Sequence, residues 1–576
     1  MNTNRIPNLR VFLWAALALL LFYNYQTWMH DYPPPASVTA PPAGGAAGPA
    51  AGDLGNRILA EPQTAPAAAG GTAAPAAAAP AAATAGGANV TGAQTEATAA
   101  APVVHVRTDV LDVDISMLGG TLERVDLLAY PLVKGEATPV RLESEDAQSL
   151  YLLQSGLRGF TSGAYPTHLA LFNSAQSAFA LDGGSELRVP LTWSENGVTV
   201  TKTFVFRRGQ YHIDVEYEVH NGGSTPWRAA PYAQIQRNDP RTKSSYFNVT
   251  SYAFHGPALW DGNKYRKLDP ANAEDSRLKL DVKDGWLAAL QHHFVSAIVP
   301  PRGEPWTFRM AVSGDQYVLS AEGPEQTVEP GGAARFHTTL FAGPKLQAQL
   351  EPTSPELGRV ADYGRLWFLA QPLFVALSWV HRLTGNWGVA IIVVTFLLKL
   401  LFYPLSEASG RSMAKMKTLQ PRIKNLQDTY KDDREKLGRA MMELYKREKI
   451  NPVAGCLPII IQIPVFLAFY WVLLESVEMR QAPFAFWIHD LSARDPLFIL
   501  PAIMAAAMFV QYKLNPTAPD PVQARVFMIM PIVMSATFAF FPAGLVLYWV
   551  TNTILSIAQQ WNINRRIGAL AAARKA

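Results

Sequence analysis

In the stretch "VVTFLLKLLFYPL", residues 393–405, one charged side chain, Lys399, sits inside an apolar run. A charge at the centre of a membrane helix costs roughly 2.5–3.5 kcal/mol on insertion scales. Thr395 lies one turn earlier on the same helical face. Gln462 interrupts a second apolar run, and Trp549, Asn552, Thr553, Ser556, Gln559 and Gln560 share about one third of the circumference of a helix in the last run. No Asp or Glu occurs within the five carboxy-terminal apolar runs; Glu407 and Glu475 stand at their ends. An ionised Lys399 must therefore face water or head groups, or give up its proton. Two plain readings stand beside this. Lys399 is about six residues, roughly 9 Å, from the end of its run, close enough for its ammonium to snorkel to head groups. Each polar residue alone could also be hydrogen-bonding glue between helices. Together they describe a wet, positively charged cavity suited to attracting an acidic chain.

Other chemistries find little support. The sequence has no G-x-x-x-x-G-K-[ST], H-E-x-x-H or G-x-S-x-G motif. Cys456, the single cysteine, starts an apolar run as a small packing residue, with no histidine in the same runs. His292 and His293 are adjacent, which is poor geometry for two metal ligands on one strand face. No catalytic, metal or cofactor site is expected. A net charge of +4 in 576 residues does not point to nucleic acid. A transporter using Lys399 as an ion site is a rival, but the internal duplication common among transporters is not evident.

The elements that must position these residues follow from patterning. Charged residues are 17% of the chain, below the ~25% of soluble proteins. Residues 1–32 read as an uncleaved membrane anchor, with a cleaved signal peptide as the alternative. Residues 33–102, almost all Ala, Pro, Gly and Thr, read as a disordered tether. Residues 103–350 alternate with period two: "YHIDVEYEVH" places Tyr211, Ile213, Val215, Tyr217 and Val219 on one face, as in a β-sandwich. Its size allows a core without disulfides. Residues 351–386 are expected to form an interfacial amphipathic helix, 387–405 a second span, 406–452 a cytoplasmic helical hairpin bent at Pro421, 453–562 spans three to six, and 563–576 a basic tail.

The 406–452 segment carries twelve Lys and Arg, whereas the 475–495 loop has Arg480 and Arg494 against four acidic residues. The positive-inside rule then places both termini and the hairpin in the cytoplasm and the β-domain outside. Ten of the fourteen methionines follow residue 405, among them Met413, Met416, Met441 and Met442 of the hairpin. Methionine suits surfaces that accept varied apolar partners, and core packing is the plainer role for most of them.

The stretches "NWGVAIIVVTFLLKLLFYPL", "SMAKMKTLQPRI", "NPVAGCLPIIIQIPVFLAFYWVL", "RQAPFAFWIHDLSARDP" and "FPAGLVLYWVTN" resemble the YidC family of membrane protein insertases in its Gram-negative form. The resemblance implies a polytopic α-helical membrane protein of six spans, with a five-helix insertase core, a cytoplasmic helical hairpin and an all-β periplasmic β-supersandwich. It implies an insertase and chaperone of the cell inner membrane that needs no nucleotide or other cofactor. Its partners would be nascent membrane proteins, the Sec translocon, the ribosome and membrane lipid. It implies a hydrophilic substrate groove whose single basic residue, usually arginine, is matched by Lys399. Thr395 matches the family's threonine one turn earlier, and Trp549 stands where tyrosine is common. Gln462, Asn552 and Ser556 are expected to line the groove, and Met413, Met416, Met441 and Met442 to receive the incoming chain. Lysine keeps the charge but lacks arginine's planar fork.

Overall fold

The computed structural model describes residues 101–161, 163–240, 253–430, 433–448, 457–514 and 521–573. The expected anchor at 1–32, nearly all of the tether, and Cys456 lie outside them.

Residues 103–344 form two sheets of eleven and eight strands, antiparallel apart from the pairing of Val103–Arg107 with Ala178–Ala180. Alternation drives the local structure: in Glu186–Glu195, Val189, Leu191 and Trp193 are buried while their neighbours are exposed. Tyr211, Ile213, Val215, Tyr217 and Val219 all face the core, as their spacing predicts. That core holds whole aromatic side chains, including Trp286, Trp306, Phe204 and Phe341.

The sandwich also encloses a lysine that patterning did not single out. Lys202 is fully buried, and its ammonium donates to the carbonyl oxygens of Gly119, Gly120 and Ser155 at 2.8, 2.9 and 2.9 Å. Three acceptors match its three donors and offset part of its desolvation. Gly119, at φ +75°, makes this turn possible, because a Cβ there would lie 2.1 Å from the His168 carbonyl oxygen.

Ten helices follow among the described residues: α1 (Gln347–Thr353), α2 (Trp367–Thr384), α3 (Trp387–Leu401), α4 (Tyr403–Thr418), α5 (Gln420–Thr429), α6 (Arg434–Arg447), α7 (Leu457–Glu475), α8 (Ile499–Leu514), α9 (Pro521–Phe538) and α10 (Ala543–Ala573). One face of α2 buries Ala370, Leu373, Phe374, Leu377 and Val380, while Trp367, Phe368, Val375, Trp379 and Leu383 remain exposed. It packs against α3 and α7; α10 packs against α3 and α8, and α9 against α8. The α5–α6 hairpin closes over Leu419, Ile423 and Leu444. Pro421 falls in the first turn of α5, where its missing N–H costs nothing, so the expected bend is a break between α4 and α5.

Among the described residues no single helix is long and apolar enough to cross a membrane. Helices α3 and α4 would suffice together but are bent by 60°. The turn falls at Phe402, two residues before Pro404, whose ring and missing N–H oppose a continuous helix. The run expected to continue straight to residue 405 therefore stops at Leu401.

The β-domain is fastened to the helices through the end of α7. His292 Nε2 donates to the Leu474 carbonyl oxygen at 2.8 Å, and Lys345 pairs with Glu475 at 3.6 Å, both side chains nearly inaccessible. Arg480 donates to the Pro131 carbonyl oxygen at 2.8 Å and covers the ring of Phe294. Val477 joins the β-domain core itself.

Candidate substrate groove

Three helices bring the polar residues together. Helix α3 starts at Asn386, whose side chain accepts from Val389 N at 3.0 Å. Its next turns bury Ala390, Ile391 and Val394 in the helical core, which leaves Lys399, one turn after Thr395, facing the gap between α7 and α10. The Lys399 ammonium donates to Ser556 Oγ at 2.8 Å, and Ser556 Oγ donates in turn to the Asn552 carbonyl oxygen at 2.7 Å. The Asn552 side chain accepts from Gln462 Nε2 at 2.6 Å. A chain of polar contacts thus ties α3 to α10 and α10 to α7. Among the described residues no carboxylate pairs with Lys399. The ammonium keeps donor capacity beyond Ser556.

Beside this relay runs a narrow cleft of about 30 Å³, walled by Thr395, Lys399, Ser406, Gln462, Tyr548 and Asn552 together with apolar side chains. Thr395 is buried and its hydroxyl donates to the Ile391 carbonyl oxygen at 2.6 Å, so it presents little free polarity. Trp549 does not line this cleft. Its ring meets Phe466 edge-on at 4.8 Å and Phe538 at 5.1 Å, inside an aromatic cluster. The aromatic wall belongs to Tyr548, stacked on Phe469 at 4.5 Å. Sequence reasoning passed over Tyr548, although it stands four residues before Asn552 and eight before Ser556, on their helical face. Of the hairpin methionines, Met416 and Met441 pack on the Leu419–Ile423–Leu444 cluster and Met442 is exposed. The side chain of Met413 lies outside the described set.

The family described as "60Kd inner membrane protein" matches residues 379–569, and the "YidC periplasmic domain" matches residues 103–376. The chain belongs to the YidC family. It is 45% identical to the membrane protein insertase YidC of Thioalkalivibrio sulfidiphilus, over 98% of this chain and 99% of that one. It is 43% identical to the membrane protein insertase YidC of Pseudomonas fluorescens, with the same coverage. A solved YidC insertase with its first transmembrane domain resolved is 20% identical, with a TM-score of 0.35, over 80% of this chain and 94% of that one. The β-rich part thus corresponds to the periplasmic domain of the YidC family, and the cleft falls within the inner-membrane part.

Proposed function

We propose that this chain integrates hydrophobic segments of other proteins into the inner membrane, and helps them fold, without hydrolysing nucleotide. The observation that carries this reading is the cationic cleft. Lys399 is bonded to Ser556, unpaired by any described carboxylate, and set among side chains of α3, α4, α7 and α10. No motor is required energetically. Leu, Ile, Phe and Val each gain roughly 0.3–0.6 kcal/mol at a helix centre, so about fifteen of them gain on the order of 4–9 kcal/mol. The barrier lies in moving the polar flank across the apolar layer. A hydrated cleft shortens that crossing, Lys399 attracts acidic residues of the flank, and the apolar segment leaves sideways into lipid.

In this reading the chain has six spans, with both termini and the α5–α6 hairpin in the cytoplasm and the β-domain in the periplasm. The support is the distribution of twelve Lys and Arg in 406–452. The hairpin receives nascent chains, and the protein works alone or beside the Sec translocon and the ribosome. Complementation of insertase-depleted cells with Lys399→Arg, Lys399→Ala and Lys399→Glu tests it. Arg should insert acidic-tailed substrates, Ala should insert them poorly and Glu worst. Equal insertion by all three removes the electrostatic role.

A further inference from the structure

The segment between α7 and α8 holds two phenylalanines in a conformation that bulky residues avoid. Phe486 has φ +54° and its side chain is 88% exposed; Phe498 has φ +56° and is 44% exposed. A bulky non-glycine residue in this region is strained and persists where its surroundings over-determine it. The surroundings are rigid. Phe484 N donates to the Ile488 carbonyl oxygen at 3.0 Å and Ile488 N to that of Ala485 at 3.1 Å, a tight turn with Phe486 at its tip. The Asp490 carboxylate accepts from Gln481 N and Ser492 N at 3.0 and 2.8 Å. Asp495 is buried and accepts from Trp487 Nε1, Leu497 N and Leu500 N at 2.9, 3.0 and 2.7 Å. Two strained backbones therefore hold apolar rings outward, where water gives them nothing in return.

Their place in the fold names what covers them. Phe484, two residues from Phe486, is seated against Gly388 in the first turn of α3, and Asn386 donates to its carbonyl oxygen at 2.8 Å. Phe498 immediately precedes α8, and Leu497 beside it is 58% exposed. Exposed apolar side chains recur along α8 at Ile503, Phe509 and Val510. Both rings thus stand at the same end of the bundle, on the rim of the surface that faces lipid if these helices span.

We propose that Phe486 and Phe498 are lipid anchors that seat at the boundary between head groups and acyl chains in the periplasmic leaflet and set the depth of the helical bundle. Phenylalanine on the apolar face of an element lying in the interface buries at the boundary between head groups and acyl chains. This inference rests on the membrane-spanning reading above.

The test uses the full chain carrying Cys456→Ser, with a nitroxide attached singly at Phe486→Cys, Phe498→Cys, Ile503→Cys and Arg302→Cys, in phosphatidylethanolamine–phosphatidylglycerol liposomes. Collision with oxygen should exceed collision with a water-soluble nickel chelate at 486 and 498, as at 503 but at shallower depth, with the order reversed at 302. Nickel accessibility at 486 and 498 with 503 still in lipid overturns the anchor alone. Closure of 486 and 498 to both reagents does so too, because a protein then covers them. Nickel accessibility at 503 as well overturns the spanning reading together with the anchor.

Discussion

A single ammonium in the cleft gains its meaning from the amides and hydroxyl around it. Asn552 accepts from Gln462 through its side chain and from Ser556 through its carbonyl oxygen. The bond to Gln462 is partly buried, so truncating one partner leaves the other partly unsatisfied, at the low end of the ~1–3 kcal/mol of a buried group, whereas removing both with apolar groups of like shape is nearly neutral. Asn552→Ala should therefore lower the melting temperature in detergent, and Asn552→Leu with Gln462→Leu should restore most of it. Insertion of acidic-tailed substrates should remain low in the double variant, since a dry cleft no longer hydrates Lys399. Recovery of insertion together with stability would assign the pair to packing alone.

At the scale of elements, the entry to α3 is a close fit between a helix start and a loop. A Cβ on Gly388 would lie 2.1 Å from the Phe484 ring, so Gly388→Val must displace either the helix start or the turn carrying Phe486. The expected loss is about 1–3 kcal/mol, as for overpacked cores, read as a lower melting temperature and faster proteolysis near residue 484. The partition into a β-domain and helices was legible from the change of period, because alternation in Glu186–Glu195 and in Tyr211–Val219 maps directly onto buried faces. Within the candidate site, Lys399 and the 462–552–556 relay were legible because each is a polar residue in an apolar run. Three features were not. The 60° turn at Phe402 depends on Pro404, which sequence reading absorbed into the run. The exchange of Trp549 for Tyr548 at the cleft wall needed a rotation angle that spacing fixes only to about one residue. Buried Lys202 depends on carbonyl oxygens brought from two other strand regions, which no local pattern encodes.

For the molecule as a whole, the joint between β-domain and helices contains titratable groups that should respond to pH. Burial pushes His292 down to about 3 and His255 to about 4, and it also lowers His293, which stacks on His292 at 3.8 Å with Lys345 and Arg480 nearby. A histidine lowered in the folded state binds protons first when unfolded. Its contribution is complete above about pH 6.5 and is lost as the pH falls towards the folded value, by roughly 1.4 kcal/mol per unit and group. Glu478, pushed up to about 7 by burial, works in the opposite sense. The fall in melting temperature between pH 7 and 5 should become shallower in His292→Asn with His293→Asn. An unchanged slope would clear both histidines. Breaking the buried Lys345–Glu475 pair by Glu475→Gln should cost about 3–5 kcal/mol, and Lys345→Met with Glu475→Leu much less, as measured by release of the β-domain to protease.

This fastening also restricts which parts of the machine can travel. Gln462 and Glu475 lie thirteen residues apart on α7, about 20 Å along one rod. Sliding that rod would drag a buried ion pair and the Leu474 carbonyl oxygen out of the sandwich. The wall of the cleft that α7 supplies is therefore moored to the sandwich, whereas α9 rests on α8 and, through Phe538, on Phe466 and Trp549, within the helical bundle alone.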